Sequence, residues 1–213
     1  MPRIEQALLW TIPWLGAGLV AALPLLLVDT SQDVFTWFIL QLSVLVMFGL
    51  ALTVRLMPLA DAEWFVATGW PSWVRLTASG VSIVVLATGT VALVTLATSA
   101  ALRFDPSLQF LQLLSALDIA WAGAAIIIGA NRAWGRLPAI VSGGVLGVFC
   151  VWSIWNYLSI VGFGPDGAWI VSGSDLMRLV IPFDMAAAAV AVVVFGYGVM
   201  RANQAIEQAS PQS

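Results

Sequence analysis

The sequence predicts an all-α, polytopic integral membrane protein, a single bundle of about six transmembrane helices with both termini cytoplasmic. Three observations carry this. Of 213 residues, 61% are hydrophobic and only 9% charged, where soluble domains carry about a quarter charged, and the mean hydropathy is +1.00. Apolar runs as long as the ~20 residues of a spanning helix recur between short polar breaks, with neither strand alternation nor a single amphipathic stripe. The arginines fall mainly in alternate breaks, which sets an orientation.

The first run, residues 7–28, follows one arginine and has no small-x-small cleavage pattern before Asp29, so it reads as a retained helix rather than a signal peptide. Pro13 interrupts it and frees the Leu9 carbonyl. The second run covers 34–57 and ends beside Arg55. Residues 61–77, DAEWFVATGWPSWVRLT, mix charges with three tryptophans and are expected to lie flat in the interface. Spans three, four and five follow at 78–102, 108–130 and 138–162. The turn-rich loop 163–175, with several glycines and Pro165, leads to span six at 176–200. Residues 1–202 thus form one transmembrane domain, and 203–213 form a cytoplasmic tail that begins as a helix continuation and ends frayed.

Arg3, Arg55, Arg75, Arg132, Arg136 and Arg201 fall on the side shared by the termini, leaving Arg103 alone in the opposite loops. Cytoplasmic loops are enriched in basic residues, so the expected location is a prokaryotic plasma membrane with N- and C-termini inside. The other face, with Asp29, Asp33, Asp105, Asp166 and Asp175, is acidic. Trp64, Trp70, Trp73 and Trp134 mark the inner boundary and Trp37, Trp155 and Trp169 the outer one, where an amphipathic ring is favoured.

Lysine and histidine are absent, which excludes Schiff-base chemistry, haem ligation by imidazole and a histidine-based triad. Cys150 stands alone, so no intrachain disulfide forms, and it reads as a small core hydrophobe. No cofactor, metal or nucleic-acid partner is expected.

Lipid is as apolar as leucine, so spans associate through small residues that let backbones approach. Ala116, Ala120 and Ala124 on span four and Gly143 and Gly147 on span five supply such faces, as do Gly80, Thr88, Ala92, Thr95 and Ser99 on span three. Packing within one bundle is the first reading of these faces; docking of a membrane-protein partner or of a second copy is the other.

An ionisable group at membrane depth costs about 2.5–3.5 kcal/mol on insertion scales and ordinarily turns inward. Asp118, Arg178 and Asp184 lie within spans, with Gln41, Gln112, Gln109 and Asn156 in the same outer half. Asp118 has Trp121 three residues on, close enough to wall off its carboxylate. Asp118, Trp121, Asn156, Arg178, Asp184, Gln41 and Gln112 are therefore the candidate lining of a buried polar cavity, open outward and closed beneath Asp118. Pro182 stands between Arg178 and Asp184 and is expected to bend and partly unwind span six, as broken helices do at transporter sites. The alternative is that Arg178 snorkels, Pro182 relieves packing and Asp184 is a satisfied buried acid.

Two carboxylates on different helices raise the question of an aspartyl dyad, but neither SALD at 115–118 nor IPFD at 181–184 matches the GxGD of intramembrane aspartyl proteases. An intramembrane enzyme is thus the remote reading. A non-enzymatic accessory or structural subunit of a membrane assembly is preferred over a small-solute or ion transporter, because a short chain with short loops leaves little room for two gated halves.

Overall fold

The computed structural model describes the backbone of residues 11–18, 34–60, 69–101, 106–161 and 173–209; within the helices, the side chains of 34–39, 60, 107, 108, 111, 151, 153–161 and 173–184 fall outside the description. The described residues form six helices and no strand: α1 (11–18), α2 (Val34–Ala60), α3 (Ser72–Ala101), α4 (Pro106–Trp134), α5 (Arg136–Val161) and α6 (Gly173–Ala209). Four of them contain segments long and apolar enough to cross a membrane: Leu40–Leu59, Ser72–Ala101, Gln112–Trp134 and Met185–Ala209. In α5 the apolar stretch among the described residues is Arg136–Cys150. The chain is a membrane-type helical bundle.

Local chemistry explains the helix ends. Gly69 takes a positive φ of 65° ahead of α3, and the Pro71 carbonyl accepts from the amides of Val74 (3.0 Å) and Arg75 (3.1 Å), which starts the helix. Residues 72–77 are therefore the first turns of α3 and not part of a flat interfacial segment; Ser72 and Pro71 supply start signals that the tryptophan-rich composition obscures. Pro106 opens α4, where a missing N–H removes no helical bond.

Between α4 and α5 there is one residue, Gly135, at φ 91°. Its amide donates to Asn131 O (2.8 Å) and its carbonyl accepts from Ala139 N (3.3 Å), so one left-handed residue ends one helix and begins the next. Gly135→Ala should lower stability by about 1 kcal/mol, the usual cost of a Cβ in that region, read as a fall in melting temperature in detergent. No change would mean that the connection relaxes without strain.

The helices alternate in direction, so α2 starts beside the end of α3 and α3 starts beside the end of α6. Gln41 on α2 meets Thr98 on α3, and the Ser72 hydroxyl hydrogen-bonds Asn203 Oδ1. Helix α4 is the hub, packing on α2, α3, α5 and α6, while α2 is shared by α3, α4 and α5. Leu42, Leu45, Val46, Leu52, Leu56 and Met57 of α2 fill the core against Ile83, Val91 and Val94 of α3 and Ile127 and Ile128 of α4. Trp14 of α1 packs at this core with its ring 6.4 Å from that of Phe48. Cys150 also packs against it, partly buried.

The small residues of α4 and α5 work inside this bundle. Ala116, Ala120 and Ala124 are buried. A Cβ on Gly49 of α2 would lie 3.8 Å from Ala120 Cβ and 2.9 Å from Val91, so α2, α3 and α4 meet there. Gly143 faces Ile127 and Val54, and Gly147 faces Met47 and Leu50. These five positions, whose spacing would also suit a partner or a second copy, face neighbours in their own chain.

Helix α6 runs 37 residues without a break, or about 55 Å at 1.5 Å per residue. Its backbone is helical through Pro182, which corrects the expected partial unwinding. The helix also continues past Arg201 to Ala209, held by the Ser72–Asn203 bond and by Asn203 Nδ2 donating to Glu207 Oε1 (2.7 Å).

Candidate functional site

Polar side chains gather at two levels of the bundle. The first level, towards the starts of α2 and α4, follows from register. Gly49, Val91 and Ala120 mark one layer where α2, α3 and α4 meet. Gln41, Thr98 and Gln112 lie eight, seven and eight residues from them towards the start of α2, the end of α3 and the start of α4, about 10–12 Å along each helix. They share a layer because the helices alternate in direction. Gln41 and Gln112 have 0% exposure and Thr98 2%. Thr95 and Ser99, also buried, back this layer.

Hydrogen bonding within the layer is incomplete. Gln41 Nε2 donates to Thr98 Oγ1, and that hydroxyl donates to its own helix at Val94 O (2.8 Å). Thr95 and Ser99 likewise return their protons to Val91 O (2.8 Å) and Thr95 O (2.7 Å). Gln41 Oε1 and both amide atoms of Gln112 are buried with no partner. A buried amide without a bond costs about 1–3 kcal/mol, so this layer is where the fold carries polarity that packing does not satisfy.

The second level, at the opposite end of the bundle, is arginine-rich. Arg55, Arg75, Arg132, Arg136 and Arg201 sit at the end where α2, α4 and α6 finish and α3 and α5 begin. Arg132 enters the bundle: its Nη2 donates to Ser79 Oγ on α3 (2.8 Å), and its guanidinium lies 5.9 Å from the Phe195 ring centroid on α6. The absent Cβ of Gly80 makes room, since it would lie 2.7 Å from Arg132 Nη1 and 2.7 Å from Phe195. Trp134 stacks obliquely on Tyr197 at 5.6 Å beside this site, while Trp70 and Trp73 stand exposed at the same end, where boundary tryptophans are expected.

Of the seven candidate cavity residues, the structure brings Gln41 and Gln112 into one buried layer. Asp118 does not join them: its side chain is exposed on α4, and no described residue pairs with its carboxylate. Asp118 thus stands outside that buried layer. The physical reason is rotation. Gln112, Ala116, Ala120 and Ala124 lie on the face of α4 turned to α2 and α3, and Asp118 is two residues from Ala116, about 200° around the helix. Trp121 is partly buried, packed with the small cluster Ala122, Ala125 and Ala191. The side chains of Asn156, Arg178 and Asp184 lie outside the described residues, as do those of Trp155 and Tyr157; Trp152 is 62% exposed, with its ring 6.4 Å from that of Phe149.

A described depression lies elsewhere. A groove of about 340 Å³ runs between α3 and α6 over α4, lined by Thr77, Val81, Val84, Trp121, Val192 and Phe195 among others. It is apolar and contains none of the carboxylates. Among the described residues, no group of three or more cysteine, aspartate or glutamate side chains is placed to hold a metal ion.

Two contacts that shape this site are not apparent from sequence alone. Gly129 on α4 and Gly198 on α6 bring two backbones together: a Cβ on Gly198 would lie 2.3 Å from Gly129 O, and one on Gly129 would lie 2.5 Å from Val194 O. Their signal is the run of small residues at Ala122, Ala125 and Gly129 and at Ala191 and Gly198, spaced by three, four and seven. Arg132 has the sequence context of a loop charge, although a glycine and a serine stand ready for it on α3.

Comparison with protein-family models, with curated proteins and with solved structures finds no match to this chain.

Proposed function

We propose that the chain is a non-enzymatic accessory or structural subunit of a membrane assembly, with six spans, both termini cytoplasmic, in a prokaryotic plasma membrane. The observation that carries the functional part is the distribution of polarity: the inward amides of Gln41 and Gln112 are packed at 0% exposure, while Asp118 points away from the bundle. A solute pathway needs the reverse, with polar side chains lining a wet interior. A subunit needs polarity on its outer surface to meet another chain.

What supports the topology is the arginines gathered at one end and the alternation of helix directions, since cytoplasmic ends are enriched in basic residues. Cysteine labelling at Gln208→Cys, in a Cys150→Ser background, should occur only from the cytoplasmic side of right-side-out and inverted vesicles. Labelling from outside would reverse the orientation.

Solubilisation in mild detergent followed by mass spectrometry of retained proteins and lipids tests the subunit role. A stoichiometric protein partner is the expected result. A lone species that moves protons or a solute across liposomes would replace this reading with a transporter, whose binding groups would be Gln41 Oε1 and the amide of Gln112, which have no partner among the described residues.

A further inference from the structure

At the arginine-rich end of the bundle, the exposed guanidiniums among the described residues are those of Arg55, Arg136 and Arg201. The last two stand beside a pair of aromatic rings. Trp134, the final residue of α4, has its ring 5.6 Å from that of Tyr197 on α6, and the two residues are 55% and 38% exposed. Tyr197 and Arg201 are four residues apart, which makes them neighbours on one side of α6. Arg136 lies two residues beyond Trp134, across the left-handed Gly135.

This arrangement has a polar rim and an apolar floor. Each guanidinium offers a planar fork of N–H donors that matches phosphate oxygens in pairs, and the indole N–H and phenol O–H belong to rings suited to a level where one end is wet and the other apolar. On the other side of Tyr197 from Arg201, one and two turns back along α6, stand Val193 and Val190, 68% and 52% exposed. The described carboxylate at this end, Glu207, is six residues past Arg201, about 120° round the helix, and its Oε1 accepts from Asn203 Nδ2. The described surface around the rings is therefore positive.

We propose that Trp134, Arg136, Tyr197 and Arg201 form a headgroup site for an anionic phospholipid. The phosphate sits with Arg136 and Arg201, the glycerol ester region lies against the two rings, and an acyl chain runs along Val193 and Val190. Such a lipid joins α6 to the start of α5, two helices that pack on α4 rather than mainly on each other. The site goes beyond the subunit role and does not depend on it.

Lipid binding to the purified full-length protein tests this. The protein in detergent micelles is titrated with phosphatidylglycerol or with phosphatidylcholine, and bound lipid is counted by native mass spectrometry. Phosphatidylglycerol should bind roughly 25-fold more tightly, about fivefold for each arginine at the ~1 kcal/mol of a basic residue near an anionic lipid surface. Arg136→Gln and Arg201→Gln should each remove about one such factor, Arg201→Lys should keep most of it because the charge stays, and Arg55→Gln, which takes the same charge from the same end on α2, should leave the preference unchanged. Melting temperatures without lipid show whether each variant is folded. Equal binding of the two lipids overturns the proposal, as does a preference that survives both glutamine variants or falls equally in Arg55→Gln, which would make it a diffuse effect of net charge. Excess inorganic phosphate should not displace the lipid; displacement would make the occupant a free anion and overturns the lipid assignment.

Discussion

Gly198→Leu should detach α6 from the bundle, with a loss of about 3 kcal/mol, the upper part of the range for overpacking. The new side chain has nowhere to go. A Cβ alone at Gly198 would stand 2.3 Å from the Gly129 carbonyl oxygen and 2.7 Å from Gly129 Cα, and these are backbone atoms that cannot rotate away. Separation of α4 and α6 would also pull Phe195 off Arg132 and Ala191 off Ala122 and Ala125. Two measurements follow the event. Thermal unfolding in detergent reports the stability loss, and a disulfide between Ser72→Cys and Asn203→Cys, placed where those side chains meet, reports whether α6 still docks on α3. Gly144→Ala is the control, since nothing lies within 4 Å of its would-be Cβ and helix propensity alone favours alanine by about 1 kcal/mol. An unchanged melting temperature and cross-link in Gly198→Leu would show that the two backbones are not in contact.

Gln112→Leu should act in the opposite direction and raise stability by about 1–2 kcal/mol. Both amide atoms of Gln112 are buried without a partner, so the substitution removes no hydrogen bond, relieves the desolvation of an orphaned amide and replaces it with an apolar group of similar size. Gln41→Leu is the informative companion. It too removes an orphaned oxygen but breaks the bond to Thr98, and interhelical bonds of this kind average about 0.6 kcal/mol, so its gain should be smaller. Chemical unfolding in mixed micelles measures both. A loss of stability in Gln112→Leu would mean that this amide is bonded in the membrane, to a water, an ion or a solute, and would move the balance towards transport.

Helix existence and the polarity of the ends are legible in the sequence because they depend on local chemistry. Five of the expected helical runs correspond to α2 to α6, with ends shifted by up to nine residues, and four of them are long and apolar enough to cross a membrane, since twenty apolar residues in a row have few other solutions. The arginines at 55, 75, 132, 136 and 201 come to one end simply because successive helices alternate. The burial of Gln41 and Gln112 is legible too, as polar groups at depth avoid lipid.

The facing of α4 is not legible, and with it goes the inward placement of Asp118. In a soluble protein an amphipathic stripe tells core from surface. Here the lipid side and the protein side are both apolar: Phe110 and Leu114 look outward and Ile127 and Ile128 inward, so hydrophobicity has no period to read. The cost of a charge in lipid argues for burial but does not set the rotation of α4, which is dictated by its alanines packing on α2 and α3 and by Gly129 meeting Gly198.

What the sequence by itself determined is the solvent, the helical segments and which ends carry the positive charge, because each follows from residues adjacent in the chain and their transfer energies. Only the tertiary structure decided which side of each helix is inside. Between two apolar surroundings that choice is made by shape, through close backbone approach at small residues far apart in sequence, and it is this choice that leaves one carboxylate facing outward.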